Sequence, residues 1–450
     1  MTWTTLTLQV TTPLFNGGAD PDDSGGFRPD EETGVRVASI RGAMRFWFRT
    51  LAGALTGPDV RLLAALERRV FGGIGEQRSG GDSAVPSPLI LRLPDPPLVS
   101  RELRPAFLQG WIGYLLGLGL MKPEKGGARL LRPFVPPETE FELKLGFRHD
   151  RRATAERRQA IEALAFASLW LACAYGGLGA RTRRGFGGLR ITEVAGEVPY
   201  PWKPAWLQTP DLRFYQSTEW LWPWPAGVFG VFEQHLRVLI DAEQAKAGPA
   251  DEWTEPPPYP VLSKRFSPAV LASRKFGSWE EALGYGGRQL RLFRANRPAD
   301  ESPADRERRR HARVRTAEWD DVIHGDSADF PLGALGLPVG YHDKLTEHTF
   351  MINAVTTPES GRDELRRASP LWLRPVPAGD SWHLFTFAFQ ARFLPGPDAT
   401  RVYLLPGEEA RRDGWHEDEL FVDQADVDRL IGQWMGTMRR GGDFTAVIRR

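Results

Sequence analysis

The chain has 450 residues, 41% hydrophobic and 26% charged, with a net charge of +1. That length supports two or three domains with their own cores, and the composition excludes disordered and fibrous classes. With so little net charge, affinity for nucleic acid must come from local patches, and a single cysteine, Cys173, excludes an intrachain disulfide or a multi-cysteine zinc site.

The start, MTWTTLTLQV, has neither a basic leader nor a long apolar run, so no signal peptide is expected. Two uncharged stretches, 105–121 and 163–180, are too short for a membrane span and contain glycines. They predict buried helices in a soluble protein without a membrane partner, and the single cysteine fits a reducing cytoplasm.

In chain order, residues 2–12 alternate as a Thr-rich strand, and a Gly/Asp/Pro-rich loop runs to about residue 35. Ser39 is placed to cap a helix reaching about Ala54. A strand at 88–93, an inserted helical stretch at 106–121 and a strand at 140–147 follow. A helix over about 156–175 ends in Gly176-Gly177, and a strand at 189–194 closes the first half. Without the insertion the order is β-α-β-β-α-β, the ferredoxin-like arrangement shared with RNA-recognition domains.

Residues 199–225 are rich in Pro and Trp (Trp202, Trp206, Trp220, Trp222, Trp224), which predicts an inter-domain linker whose rings either cover apolar surface or stack on bases. The second half repeats the first more loosely. It has a strand at 260–266, a helix at 278–296, a hairpin of 370–376 with 382–393, a helix from Asp423 and a strand at 444–448. Phe385, Phe387, Phe389 and Phe393 share one strand face; Val427, Leu430, Ile431, Trp434 and Met438 share one helix side. The expected fold class is α+β, with two tandem ferredoxin-like (βαββαβ) domains carrying insertions. Their boundaries are 1–195 for the first domain, 196–259 for linker and helix, and 260–450 for the second.

Four segments carry candidate chemistry. TTPLFNGGAD (11–20) is a strand end with paired glycines. VRVASIRGAMRFWFRTLAG (35–53), followed by ERRVFGG (67–73), puts Arg41, Arg45 and Arg49 on one helical stripe. That stripe suits an anion near the helix start, or is simply solvated. YGGLGARTRRGFGGLR (175–190) contains six glycines with Arg181, Arg183, Arg184 and Arg190. Gly176, Gly177, Gly179 and Gly185 let a backbone approach closely, and the guanidinium forks match phosphate oxygens. The spacing fits neither a Walker A loop nor a dinucleotide fingerprint. RRASPLWLRP (366–375), with the earlier LGALGLPVGY (332–341), is a basic turn entering a strand beside a Gly/Pro loop.

Taken in order, PLFNGGAD, SIRGAMRFWFR, E-x-x-x-FGG, GGLGARTRRGFGG and RRASPLWL make the chain resemble the first RAMP-superfamily subunit of type III-B CRISPR (Cmr) effector complexes. The resemblance spans about 11–190 and, more patchily, 332–376. It implies a non-catalytic RNA-binding subunit at the head of the complex, near the 3′ end of the guide RNA (crRNA). The implied partners are guide and target RNA, a neighbouring RAMP subunit and the backbone filament. It also implies that neither target cleavage nor nucleotide cyclisation belongs to this chain. RNA contact is then expected at Arg41, Arg45 and Arg49, and at Gly176, Gly177, Gly179, Arg181, Arg183, Arg184 and Gly185. No cofactor or metal is expected.

Region 241–325 matches nothing in that family, and its stretch 288–315 has ten arginines against four acids, with Arg306 and Arg308–Arg310 in a dense run. Either a solvated insertion or RNA contact accounts for it. The eight histidines form no metal-binding spacing, and His324-Gly325-Asp326 reads as a surface turn. Two other classes stay open. One is a metal-independent RAMP-type ribonuclease that processes guide RNA, for which His149 beside Arg148, Arg151 and Arg152 is the acid/base candidate. The other is a protein-binding scaffold that uses the Trp-rich segment.

Overall fold

The computed structural model describes residues 2–16, 34–74, 84–117, 119–125, 127–148, 153–208, 226–245, 248, 252–263, 265–294, 321–343, 346–356, 362–394 and 400–439. The fold is mixed α and β with antiparallel sheets.

Strand β1 (Trp3–Val10) alternates half-exposed Trp3, Thr5, Thr7 and Gln9 with buried Leu6, Leu8 and Val10. That is the period-two signature of a strand with one face on the core. Helix α1 (Val37–Thr56) follows. Helix α2 (Val60–Phe71) is capped by Asp59, whose carboxylate accepts from the Arg61 and Leu62 amides. The short pair β2 (Gly73–Ile74) and β3 (Ala84–Val85) leads to β4 (Leu89–Arg92). An insertion holds α3 (Ile112–Leu116) and the hairpin of β5 (Met121–Glu124) and β6 (Gly127–Leu130). Strand β7 (Glu140–Phe147), helix α4 (Ala155–Ala174) and strand β8 (Leu189–Gly196) complete the sheet. Its order is β4-β7-β1-β8, antiparallel at every pair, with Thr5 opposite Lys144 and Ala195. Buried Leu89, Leu91, Leu143, Leu145, Leu189 and Ile191 continue the core face begun by β1.

Helix α4 is almost wholly buried over its last twelve residues, because it packs on α1, on β8 and on a later helix. That later helix is α6 (Ala226–Ala242), which follows the single turn α5 (Pro204–Leu207) and contributes buried Phe232, Leu236, Leu239 and Ile240. In the Pro/Trp segment, Trp202 is buried and its indole nitrogen donates to the Ala163 carbonyl at 2.9 Å.

Strand β9 (Ala269–Leu271) and helix α7 (Trp279–Arg294) come next. Strands β10 (Val339–His342), β11 (Thr349–Thr356) and β12 (Asp363–Leu365) follow, then the hairpin β13 (Leu371–Ala378) and β14 (Ser381–Ala388). Strand β15 (Arg401–Pro406), helix α8 (Glu408–Arg412), strand β16 (Asp418–Leu420) and helix α9 (Gln424–Arg439) end the described chain. One sheet runs β10-β11-β15-β16, with β12 also paired to β11, and a second runs β13-β14-β9. Among the described residues, no helix is long and apolar enough to cross a membrane.

Two compact units emerge. One comprises residues 1–287 with 372–386, the other 288–371 with 387–450. In the second, α9 buries Val427, Leu430, Ile431, Trp434 and Met438, the side read from its spacing, and the Trp434 ring lies 5.5 Å from Phe293.

Several expectations require correction. Ser39 is no cap: α1 begins at Val37, and the Ser39 hydroxyl donates instead to Asn16 Oδ1 at 3.1 Å. The stretch 106–121 is helical only over α3, because Gly110 and Gly117 sit at φ +58° and +64° and break it on both sides. The expected strand at 260–266 is absent among its described residues, 260–263 and 265–266. There the Ser263 hydroxyl accepts from the Phe266 amide and the Ser267 hydroxyl donates to the Val261 carbonyl, so side chains replace ladder bonds. The strand begins later, at β9. The loop over 17–33, His149, Arg151, Arg152, the Trp220–Trp224 cluster, the dense arginine run (306, 308–310) and the 444–448 strand lie outside the described residues.

Candidate nucleic-acid interface

The conspicuous motifs of the first half converge. Residues 11–16 leave β1 and run beside 178–188. The Thr11 amide donates to the Gly188 carbonyl at 2.8 Å, Gly187 to Pro13 at 2.9 Å, and Ala180 to Phe15 at 2.7 Å. The Thr12 hydroxyl donates to the Gly185 carbonyl at 2.8 Å and accepts from the Gly188 amide at 2.9 Å. The glycine-arginine loop is therefore stitched down rather than free.

Its glycines are chiefly packing glycines. A Cβ on Gly176 would strike the Trp47 indole, and one on Gly177 would stand 2.6 Å from the Gly187 carbonyl oxygen. Gly185, at φ +89°, leaves room for Leu283, and Gly179, at φ +86°, for the Phe15 carbonyl. These glycines do permit close approach, and among the described residues the approaching groups are the protein's own.

The arginines remain at the surface. Residues 181–186 turn tightly, with the Arg184 amide donating to the Arg181 carbonyl at 2.8 Å. Arg181 is exposed, Arg183 and Arg184 half-exposed. The Arg181 guanidinium leans over Gly117, where an added Cβ would stand 2.9 Å away, and desolvation there lowers its pKa. Arg183 lies 5.3 Å from the Trp372 ring centroid, and burial pushes its pKa down to about 10. It stays protonated at neutral pH, but with part of its hydration already surrendered. A phosphate oxygen would repay that loss.

The strand entered by RRASPLWLRP closes the back of the loop. The Leu373 amide donates to the Arg183 carbonyl at 3.1 Å. Arg374, 5% exposed, donates to the carbonyls of Gly176, Cys173 and Leu189. Trp372 stacks on Phe46 at 5.9 Å and meets Trp47 at 5.6 Å, joining this strand to α1. In the second unit the two remaining motif pieces likewise pair, Leu337 with Arg367 through bonds of 2.8 and 3.0 Å.

The arginine stripe on α1 is divided. Arg45 Nε donates to Glu67 Oε1 at 2.6 Å and Arg49 Nη1 to Oε2 at 3.0 Å, while Arg45 also reaches the Gly72 carbonyl at 3.1 Å. The E-x-x-x-FGG motif is thus the clamp on that stripe. Among the described residues, Arg41 reaches only the Leu89 carbonyl, at 3.3 Å; burial and then repulsion from Arg45 lower its pKa. Beside it, a Cβ on Gly42 would meet nothing within 4 Å. The stripe and the loop are linked through Trp47, which lies on α1 and against Gly176.

Three residues central to this arrangement were not singled out from sequence: Glu67, Thr12 and Arg374. Each sat inside a motif, but its partner is remote in the chain. The β5–β6 hairpin also escaped notice, with Lys122 exposed and Arg129 held by Glu124 at 2.8 Å. Among the described residues, no group of three or more His, Cys, Asp or Glu could hold a metal. His324 and Asp326 lie in a turn at the end of a short helix.

The RAMP superfamily matches residues 7–190. CRISPR system Cmr subunit Cmr1-1 of Pyrococcus furiosus is 32% identical over 167 residues, which is 36% of this chain and 42% of that protein. Cmr subunit Cmr1-2 of the same organism is 40% identical over 65 residues, 14% of this chain and 30% of the relative. The matched stretches thus span less than half the length of either relative. The crystal structure of apo Cmr1 from Pyrococcus furiosus aligns over 96% of this chain and 97% of its own, at 18% identity and a TM-score of 0.48.

Proposed function

We propose, from the match of residues 7–190 to the RAMP superfamily and the likeness to Cmr subunits, that the chain is a RAMP-superfamily protein and a non-catalytic RNA-binding subunit of a type III-B Cmr ribonucleoprotein acting in cytoplasmic antiviral defence. Its place is the head of the complex near the guide RNA 3′ end, beside another RAMP subunit and the backbone filament, on guide and target RNA.

The observation that carries this reading is the loop at 178–188. Its backbone is held by residues 11–16 and by the Leu373 amide, which donates to the Arg183 carbonyl, while Arg181, Arg183 and Arg184 stay at the surface. A rigid, cationic turn suits a phosphate backbone and carries no base preference.

The fold reading extends to the second half. Strand β9, helix α7 and the hairpin β13–β14 follow one another as β-α-β-β, and the sheet order β13-β14-β9 repeats the order β4-β7-β1 of the first domain. We take these as a second ferredoxin-like domain, with the β10-β11-β15-β16 sheet inserted into it.

The test is RNA affinity of the full chain, free and in the assembled complex, across a salt series. Replacing Arg181 and Arg184 by alanine removes two phosphate contacts. The slope of log K against log salt then flattens by about 1.4, at roughly 0.7 per phosphate on a single strand, and different sequences weaken alike. An unchanged slope rejects the loop as an RNA contact.

A further inference from the structure

On the helical side of the first domain lies a cavity of about 530 Å³ that the interface above does not use. Residues 85–88 ahead of β4 form one wall, and Ile161 of α4 with Leu239 and Ala242 of α6 form another. Three arginines from separate elements line it: Arg69 on α2, Arg148 after β7 and Arg157 on α4. Arg69 is satisfied by Glu243 at 2.8 Å. Among the described residues, Arg148 and Arg157 meet no acid at ion-pair distance. Both are exposed at the rim, where α4 begins behind its Thr154 cap and its macrodipole adds positive potential.

The lining thus has two halves, a cationic rim and an apolar wall, and each restricts the ligand. A bare phosphate would use the rim and leave the wall wet. An acidic peptide needs main-chain partners, yet two of residues 85–88 are prolines without an N–H to offer. A nucleotide satisfies both halves, and the volume falls in the range of small-molecule sites.

We propose that this cavity receives one unpaired nucleotide of a single-stranded RNA. Its base rests on Ile161, Leu239 and Pro88, and its phosphate lies on Arg148 and Arg157. This inference rests on the RNA-binding reading above, but places a second contact away from the glycine-arginine loop.

The experiment measures binding of a fluorescein-labelled single-stranded RNA octamer to the full chain across a salt series. Arg148→Ala with Arg157→Ala should weaken binding and flatten the salt slope by about 0.7, the share of one phosphate on a single strand. Ala242→Phe, which fills the cavity without removing charge, should weaken binding about tenfold with an unchanged slope, the order expected when one base loses its seat. Ala242→Leu replaces it if circular dichroism shows that Phe disturbs the fold. Should the arginine pair matter while the filling variant binds like wild type, the site holds only backbone and the nucleotide proposal is overturned. Should both bind like wild type while the Arg181/Arg184 variant is weakened, the cavity is excluded and the loop reading stands. Failure of the wild-type chain to bind the octamer even at low salt overturns both.

Discussion

Arg374 Nη1 donates to the Gly176 carbonyl at 2.6 Å, joining residues 198 positions apart. The other terminal nitrogen of the same guanidinium reaches the carbonyls of Cys173 and Leu189, the latter at 2.8 Å. One side chain therefore satisfies acceptors at the end of α4, at the mouth of the glycine-arginine loop and at the start of β8. Arg374→Ala should cost about 3 kcal/mol or more, since buried carbonyls lose a charged donor. Arg374→Lys should recover only part of this, because an ammonium cannot reproduce the planar fork. Urea unfolding followed by tryptophan fluorescence checks both.

Cys173 reports on the same joint. Its thiol is fully buried, and desolvation pushes its pKa up from 9.0 to about 12. The native protein should therefore resist a thiol-specific reagent at pH 8, and Arg374→Ala should react faster in native buffer. The folded state holds the proton more tightly, so this group's contribution to stability is intact below pH 9. It falls by up to about 1.4 kcal/mol per pH unit between 9 and 12. Equal reactivity in native and urea-unfolded protein would contradict the burial.

Gly176 and Gly42 should behave oppositely. Alanine at 176 drives a methyl group into the Trp47 indole and should destabilise by about 1–3 kcal/mol. Alanine at 42 meets nothing, lies within α1 and should stabilise by about 0.5–1 kcal/mol. If RNA or a neighbouring subunit docks over Gly42, Gly42→Trp should weaken complex assembly while leaving the melting temperature of the free chain nearly unchanged.

Glu67 sets how much of the α1 stripe is available. Arg45 and Arg49 are 36% and 45% exposed at their side chains, so Glu67→Gln should cost only about 1 kcal/mol. The same change frees two guanidinium groups and should raise non-specific RNA affinity at low salt. A loss of affinity would mean that the clamp holds the arginines in their binding geometry.

The sequence alone determined whatever depends on local spacing. Alternation in 2–12 made β1, and the periodic side of 427–438 made a buried helix face, because strand and helix periods are properties of contiguous residues. The family resemblance was equally legible, since it rests on motifs and their order. The apolar stretch 106–121 predicts one helix, and only the backbone angles of Gly110 and Gly117 show where it breaks. What tertiary structure decided was the partner of each special residue. Glycines suited to close approach and arginines suited to phosphate look the same in sequence whether the partner is RNA or the chain itself. Here Trp47, Phe15 and Leu283 occupy the space beside Gly176, Gly179 and Gly185, and Glu67 takes Arg45 and Arg49. Arg374 looked like one more cation entering a strand, yet it is buried as the joint between distant segments. Such pairings are fixed by contacts across tens to hundreds of residues, and no local pattern encodes them.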